Sequence, residues 1–296
     1  SPAGVEGHRQ LTLFLQQFVN GIALGSVYSL VALGLTLVYG VLKVPNFAHG
    51  ALYMAGAYVS YVMLTSFGAS YIVAMAVSVV VLAVLGGSME WLVFRRLEGK
   101  TPVHSMIAAL GLLFFMEGTA DVIWGPTFRQ VPTPFDGVVT LLGVNITEQR
   151  ILVIVAAVVT MVGLYLLLKR TLVGMSIEAM AQDREGALLV GIDTRRVALL
   201  TFAISGALAA VAGSLIAPLL LVFPNMGELI ILKAFVIVIL GGMGSVPGAI
   251  LGGYLLALAE TMAGTYVSFA FSELIAFGLL VLVLVIRPTG LFQKGV

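Results

Sequence analysis

One short polar segment separates two long apolar runs, and its side chains could bind or pass a solute. It reads Val44-Pro45-Asn46-Phe47-Ala48-His49-Gly50. At membrane depth, non-helical backbone survives only where protein or a water-filled cavity covers it. Asn46 and His49 could therefore hydrogen-bond a neutral solute there, and Gly50 would let a neighbouring backbone approach closely. The simpler interpretation is that Asn46 caps the following helix.

A second polar break, residues 241–247, lies in the other half of the chain. Gly248-Ala249-Ile250 follows it as Gly50-Ala51-Leu52 follows the first break. Corresponding interruptions in two halves of a chain indicate the substrate path in transporters built from repeats. Gly248 therefore joins the candidates for a path through the protein.

Three ionisable residues lie deep within apolar runs: Glu117, Lys233 and Glu260. A charge at the centre of a bilayer costs about 2.5–3.5 kcal/mol on insertion scales, so such residues are functional candidates by default. They could line a substrate path. The alternative is that Lys233 pairs with a carboxylate inside the helical bundle and only fixes the packing.

The chain lacks the residues and motifs that several kinds of chemistry require. The chain has no cysteine, which excludes disulfides, thiolate catalysis and Cys-ligated metals. Phe94 occupies the place of the first glycine in a Walker motif that would end at 99–101. Ser205 could be a nucleophile, but we expect no histidine in position to activate it. No HExxH motif contains the three histidines, which are His8, His49 and His104.

We therefore expect no enzymatic activity, no cofactor and no metal in this chain, and it lacks a basic stripe for nucleic acid.

The amino-acid composition indicates the structural class of the protein. Of 296 residues, 60% are hydrophobic and 10% are charged, whereas soluble domains are about 25% charged. The mean hydropathy is +1.12. These values predict an all-α, polytopic transmembrane helical bundle embedded in a lipid bilayer.

Long apolar runs, bounded by Pro, Gly and charged clusters, predict nine hydrophobic segments. The seventh has 14 residues and could be a re-entrant or half-membrane piece, which makes eight the alternative count. We divide the chain into an N-terminal segment 1–13, a single transmembrane domain 14–290 and a tail 291–296. The predicted segments are 14–40, 47–66, 71–94, 103–124, 151–168, 197–218, 227–240, 246–265 and 271–286.

Lysine and arginine mark the cytoplasmic side of a membrane protein. With nine crossings, their distribution predicts an external N-terminus, an external loop 125–150 and a cytoplasmic C-terminus. Ser1 could follow a cleaved signal peptide or be a remnant of expression, and both remain open. The residues that indicate the cytoplasmic side are Lys43, Arg95, Arg96, Lys100, Lys169, Arg170, Arg184, Arg195, Arg196, Arg287 and Lys294.

The longest cytoplasmic loop, residues 169–196, predicts a short amphipathic helix from Ile177 to Val190. Ser176 would cap it, Glu178 would stand in its first turn, and Gly191 would end it in a left-handed conformation. Such a helix could lie among lipid headgroups. It could instead dock into a groove on a partner protein, because its acidic residues weaken attraction to anionic lipid.

Motifs along nearly the whole chain, from Phe14 to Gly290, resemble the LivH-type permeases of branched-chain amino acid ABC importers. The match is weakest in 126–148, and Ala51 stands where these permeases commonly have an acidic residue. The matching motifs are Asn20-Gly21, Leu24-Gly25-Ser26-Val27-Tyr28, Leu33-Gly34-Leu35-Thr36-Leu37-Val38-Tyr39-Gly40, Asn46-Phe47-Ala48-His49-Gly50, 178–193, Lys233-Ala234-Phe235, 240–249 and Arg287-Pro288-Thr289-Gly290.

The resemblance implies a multi-pass subunit of the bacterial inner membrane. Its partners would be a second, homologous permease, two cytoplasmic ATPases that hold the ATP and Mg²⁺, and a periplasmic binding protein. The residues expected to contact the ATPases are Ile177, Glu178, Ala179, Arg184 and Gly191.

The resemblance also implies that the substrates are branched-chain or other hydrophobic amino acids. Two alternatives remain. Related permeases carry urea or short amides, and an ion-coupled secondary transporter could use groups such as Glu117 and Glu260.

Overall fold

The computed structural model describes residues 2–133, 135–141, 143–268, 272–287 and 290. Within them the chain is almost entirely helical, which confirms the predicted all-α bundle. The elements are α1 (Pro2–Leu42), α2 (Ala48–Thr65), α3 (Tyr71–Leu92), a 3₁₀ turn (Phe94–Leu97), α4 (Pro102–Trp124), β1 (Val138–Leu141), β2 (Val144–Thr147), α5 (Glu148–Arg170), α6 (Leu172–Gln182), α7 (Arg184–Leu189), α8 (Thr194–Ile216), α9 (Met226–Gly241), α10 (Val246–Tyr266) and α11 (Ser272–Ile286).

Each of the nine predicted hydrophobic segments corresponds to one helix. Six helices of the described chain are long and apolar enough to span a membrane by length and composition: those containing 10–42, 71–97, 102–124, 148–170, 194–216 and 246–266. The seventh predicted segment is α9, whose 16 residues rise about 24 Å. That is less than the hydrocarbon thickness of about 30 Å.

The buried centre of the bundle is formed by α1, which packs against α8, α9 and α10, while α3 packs along α8. Small residues allow these close approaches. A Cβ on Gly25 would stand 3.0 Å from the Cα of Tyr254, and one on Gly253 would stand 2.8 Å from the Ser29 nitrogen. Outward faces of α3, α4 and α5 expose large apolar side chains, such as Val80, Phe115 and Val159. This apolar surface fits contact with lipid.

The two ends of the bundle carry different structures. At one, which we call the hairpin end, β1 and β2 form an antiparallel pair, and residues 129 and 222 are joined by a β-bridge. The sequence did not indicate this hairpin. At the other, the loop end, Lys43 donates to the Ala181 carbonyl at 2.6 Å, and Arg184 pairs with Glu98. Residues predicted to share the cytoplasmic side thus lie at the same end of the molecule.

The structure bears on one of the two terminal boundaries that the sequence predicted. α1 begins at Pro2, so residues 2–13 continue into the first membrane helix without a break. Residues 291–296, assigned to a tail, lie outside the described part of the chain.

Candidate functional site

The hairpin end contains a cavity of about 450 Å³, a size within the roughly 300–1,000 Å³ of small-molecule sites. We call it the hairpin-side cavity. Its wall is largely apolar and is built from α1, α2, the segment that follows α4, the end of α8, α9 and the linker that joins α8 to α9. The lining residues are Leu24, Tyr28, Tyr53, Phe128, Gln130, Ile216, Pro218, Leu219, Leu220, Leu221, Phe223, Met226, Leu229, Ile230 and Lys233.

Lys233, on α9, is the charged residue in that wall. Its Nζ lies 2.9 Å from Glu260 Oε2 on α10 and donates to the Tyr28 hydroxyl on α1, also at 2.9 Å. Tyr28 in turn donates to Glu260 Oε2 at 2.9 Å. The pairing of Lys233 with a carboxylate, one of the two interpretations of the sequence, is therefore present, and three helices meet at it.

Glu117 is not part of this group. It is buried on α4 at 3% exposure and faces the backbone at Glu228, in the first turn of α9. Its Oε1 has no hydrogen-bond partner among the described residues. Neither Glu117 nor Glu260 lines the hairpin-side cavity.

Asn46, His49 and Gly50 of the segment 44–50 are buried and do not line the hairpin-side cavity. His49 is 0% exposed: Nε2 lies 3.0 Å from the Val31 carbonyl and Nδ1 lies 3.0 Å from Ser205 Oγ. The expectation that no histidine stands beside Ser205 was therefore wrong, because the fold brings α2 against α8. The pair is nevertheless buried, its imidazole is oriented by a backbone carbonyl rather than by a carboxylate, and it borders neither of the two cavities described here.

Asn46 does not cap α2. Phe47 holds the N-cap position, without a side-chain cap bond. Asn46 is 1% exposed, and neither polar atom of its side chain has a partner in the described chain. The cap interpretation was wrong because the turn closes through backbone, with the His49 N–H donating to the Asn46 carbonyl at 3.3 Å.

Gly50 and Gly248 stand at contacts between helices. A Cβ on Gly50 would overlap the Gly227 carbonyl oxygen of α9 and approach Ile231 Cβ to 2.9 Å. A Cβ on Gly248 would overlap the Gly241 carbonyl. Both glycines thus allow α9 to pack closely, on α2 and on α10. Of the seven residues assigned to a path from the sequence, Lys233 is the one in the wall of the hairpin-side cavity.

The loop end contains a second cavity, of about 540 Å³, which we call the loop-side cavity. It lies between α1, α5, α6 and the α9–α10 turn, and its wall includes Lys43, Lys169 and Glu178. Lys169 and Glu178 form an ion pair at 2.8 Å, so they already neutralise each other.

The coupling segment, residues 169–196, contains two helices where the sequence predicted one. The hydroxyl of Thr171 accepts from the Gly174 N–H and caps α6, while Asp183 accepts from the Glu185 N–H and caps α7. The prediction that Ser176 caps the helix was wrong. Ser176 is already inside α6 and donates to the Leu172 carbonyl at 2.8 Å.

The end of the last helix in this segment is as the sequence predicts. Gly191 has a φ of +86°, which is the predicted left-handed conformation. Ile177 is buried and Ala179 half-buried, so one face of α6 is held against the bundle. Exposed apolar side chains end α7: Leu188, Leu189 and Val190 are 53%, 88% and 77% exposed.

Comparison of the sequence with models of protein families identifies the family of this chain. The family model described as "Branched-chain amino acid transport system / permease component" matches residues 17–284. This chain belongs to that family.

Two of the three relatives compared here match over almost their whole length. The chain is 36% identical to the high-affinity branched-chain amino acid transport system permease protein BraD of Pseudomonas aeruginosa, over 95% of this chain and 96% of that protein. It is 34% identical to the permease protein LivH of Escherichia coli K12, over 96% and 97%. LivM of the same strain is 26% identical over 92% of this chain and 69% of LivM.

A solved structure has the same fold at low sequence identity. It is "PsaBC from Streptococcus pneumoniae in complex with Fab", with a TM-score of 0.50 and 12% identity over 98% of this chain and 97% of that one. Within its described residues, the present chain has no group of three or more His, Asp or Glu residues placed to hold a metal ion.

Sequence reasoning missed parts of the site. Tyr28 stood within a family motif, but its spacing from Lys233 gave no sign that they meet. The apolar wall formed by 218–223 was missed as well, because it follows α8 and precedes α9 without any periodic pattern. The position of Glu98 beside Arg184 was likewise absent from the sequence-based predictions.

Proposed function

We propose that this chain is the membrane-spanning permease subunit of a binding-protein-dependent ABC importer for branched-chain and other hydrophobic amino acids. Family membership over residues 17–284 is the observation that carries the proposal. The names of the relatives favour this substrate class over urea or short amides. The chain has no Walker motif, so ATP and Mg²⁺ would be held by partner ATPases.

The hairpin-side cavity would form one half of the substrate path. Leu220, Leu221 and Leu229 lie in its wall and are 55%, 47% and 51% exposed. A second permease subunit could cover them and complete the path. Similarity of this chain to both LivH and LivM supports a pair of homologous permeases.

The coupling segment would contact the ATPase subunits. Its exposed apolar tip at 188–190 stands at the loop end, beside Arg184, which is fixed to the bundle through Glu98. A rigidly attached helix with an apolar tip suits docking into a groove. In the bacterial inner membrane the loop end would face the cytoplasm, because the cytoplasmic Lys and Arg residues of the predicted topology cluster there. The hairpin end would then meet the binding protein in the periplasm.

Reconstitution tests this proposal. The chain is produced with a second permease, two ATPases and a binding protein of the same importer, and the assembled complex is placed in proteoliposomes. We expect ATP-dependent uptake of radiolabelled leucine that requires the binding protein and is blocked by vanadate. Uptake of urea but not leucine would contradict the substrate class. Uptake that is insensitive to vanadate but abolished by an ionophore would contradict the class of transporter.

A further inference from the structure

A charged side chain, that of Lys233, reaches a cavity whose wall is otherwise uncharged and largely apolar. The side chain is 25% exposed, whereas its partner Glu260 is 6% exposed and stands behind the wall. An ammonium in low-dielectric surroundings is costly unless it is paired. Glu260 supplies that pairing without itself lining the cavity. Lys233 is therefore the charged group of this pair that a solute in the cavity can reach.

The hydrogen bonds of this group leave capacity for a ligand. A lysine ammonium has three N–H donors, and Lys233 uses two of them, on Tyr28 and on Glu260 Oε2. The other oxygen of Glu260, Oε1, has no partner among the described residues. The ion pair thus rests on a single carboxylate oxygen, shared with the Tyr28 hydroxyl, rather than on a two-point contact.

The other residues that line the hairpin-side cavity indicate which kind of ligand would fit beside Lys233. No carboxylate lines the hairpin-side cavity, and its polar lining side chains besides Lys233 are Tyr28, Tyr53 and Gln130. Leucine and isoleucine side chains from α9 and the 217–225 linker cover much of the rest. A solute that carries one carboxylate and a compact aliphatic chain would satisfy both parts of this wall at once.

On this basis, and resting on the proposed function, we propose that Lys233 binds the α-carboxylate of the amino acid during passage, while the leucine-rich wall takes its aliphatic chain. When the cavity is empty, Glu260 and Tyr28 hold the ammonium. A zwitterion has no net charge, so its arrival adds none to the site. Urea has no carboxylate and lacks the group that this lysine recognises.

Uptake by paired variants separates recognition from packing. Lys233→Met alone leaves Glu260 buried without its cation, so that variant can fail simply because it misfolds. The double variant Lys233→Met/Glu260→Gln removes both charges and keeps the side-chain sizes similar. With saturating leucine-loaded binding protein, we expect the double variant to assemble with its partner subunits as wild type does. Its leucine uptake should fall by about tenfold or more, because a hydrogen bond to a charged group is lost.

Lys100→Met is the matched control, since Lys100 is exposed at the loop end, and its uptake should equal that of wild type. Wild-type uptake by the double variant would overturn the proposal and leave the pair a packing feature. A wild-type complex without ATP-dependent uptake would instead reject the proposed function, so the two failures are distinguishable.

Binding without transport gives a second readout. Thermal unfolding of the purified complex, without binding protein, is measured with millimolar leucine and with leucinamide, which lacks the carboxylate. We expect leucine to raise the unfolding temperature of wild type more than leucinamide does, and this difference to vanish in the double variant. Equal shifts by the two ligands in wild type would overturn a carboxylate site at Lys233.

Discussion

At the residue scale, the hydrogen bonds of His49 determine which of its nitrogens carries the proton. The Val31 carbonyl, 3.0 Å from Nε2, can only accept, so Nε2 must donate. In a neutral imidazole Nδ1 then accepts. Ser205 Oγ lies 3.0 Å from Nδ1 and 3.0 Å from the Gly34 carbonyl oxygen, so its single proton is shared between these two acceptors. The pair therefore joins α2 to α8 and to α1 as a structural bond inside the core, and it has no spare proton to pass on.

Replacing the serine tests that assignment. Ser205→Ala leaves Nδ1 of His49 buried without a donor, and we expect a loss of about 1–3 kcal/mol in the free energy of unfolding. Thermal unfolding of the purified chain measures it. Ser88→Ala is the control, because Ser88 is only half-buried and its hydroxyl bonds to the Val84 carbonyl of its own helix. Full stability together with lost uptake would point instead to a chemical role for Ser205.

The fit of Gly50 against α9 leads to a second prediction. Gly50→Ala should destabilise the bundle by about 1–3 kcal/mol, the usual cost of overpacking, because the new methyl would overlap the Gly227 carbonyl. Gly118→Ala on α4 is the control, since a Cβ there has nothing within 4 Å. Yield and unfolding temperature in detergent provide the measurement. Equal values for the two variants would show that α2 and α9 are not in contact.

At the element scale, the attachment of the coupling segment depends on a sharp stop after α7. Val190 is followed by Gly191, which is exposed and has a φ of +86°. This conformation costs an L-residue with a Cβ about 1–2 kcal/mol, and β-branched residues tolerate it least. The chain can therefore turn into α8 at this point with little strain only if the residue is glycine or asparagine.

Gly191→Val should displace α7 and lower the stimulation of ATP hydrolysis by loaded binding protein, while the protein still inserts into the membrane. Gly191→Asn is the matched variant, because asparagine enters the left-handed region more readily, and it should keep most of the stimulation. ATPase assays on reconstituted complexes distinguish the two. Unchanged stimulation in the valine variant would argue against docking by this segment.

Glu98 fixes the same segment from its other side. Its carboxylate pairs with Arg184 on α7, and its Oε2 lies 4.0 Å from Nε of Arg195 on α8. Exposed ion pairs contribute only about 0–1 kcal/mol to stability. Glu98→Gln should therefore leave the unfolding temperature nearly unchanged but lower binding-protein-stimulated ATP hydrolysis. Arg196→Gln is the control, since its ion pair with Asp193 joins no second helix. Equal ATPase activities in the two variants would show that Glu98 does not position α7.

How far these elements can be predicted from sequence depends on the range of the interaction. The nine hydrophobic segments and the turn at Gly191 follow from local patterns. The cap at Thr171 is equally local, yet it was missed because Ser176 offered the same chemistry five residues later. The break between α6 and α7 at Asp183 was missed because the apolar residues keep a helical spacing across it, so the pattern fitted one longer helix.

The candidate site was predictable only in part, for a physical reason. Burial is expensive enough to single out Lys233 and Glu260 from the sequence, and each needs a partner of opposite charge. Which residues meet depends on how α1, α9 and α10 cross, and no local pattern contains that angle. Tyr28 and the leucine-rich linker were missed on this account, and Asn46, His49 and Gly50 proved to lie within closed contacts.

At the scale of the whole molecule, the distribution of ionisable groups bears on how transport is driven. A secondary transporter needs ionisable or ion-coordinating groups along the solute path. In the hairpin-side cavity, Lys233 is the one lining residue that carries charge at neutral pH. His49 is sealed between α1 and α8, and Glu117 lies outside that wall. The wall of the hairpin-side cavity thus offers no carboxylate to a proton or sodium ion, and in the proposed function transport would be driven from the loop end by partner ATPases.

The corresponding prediction concerns the source of energy. Purified alone, this chain should hydrolyse no ATP, and hydrolysis should appear when the ATPase subunits are added. In proteoliposomes of the full complex at constant internal ATP, leucine uptake should stay constant within error when a proton gradient of either direction is imposed. A complex carrying a catalytically inactive ATPase is the control and should show no uptake under any gradient. A steep rise of uptake with the imposed gradient, lost in His49→Gln, would reject ATP-driven transport, because the sealed imidazole would then have to open and carry protons.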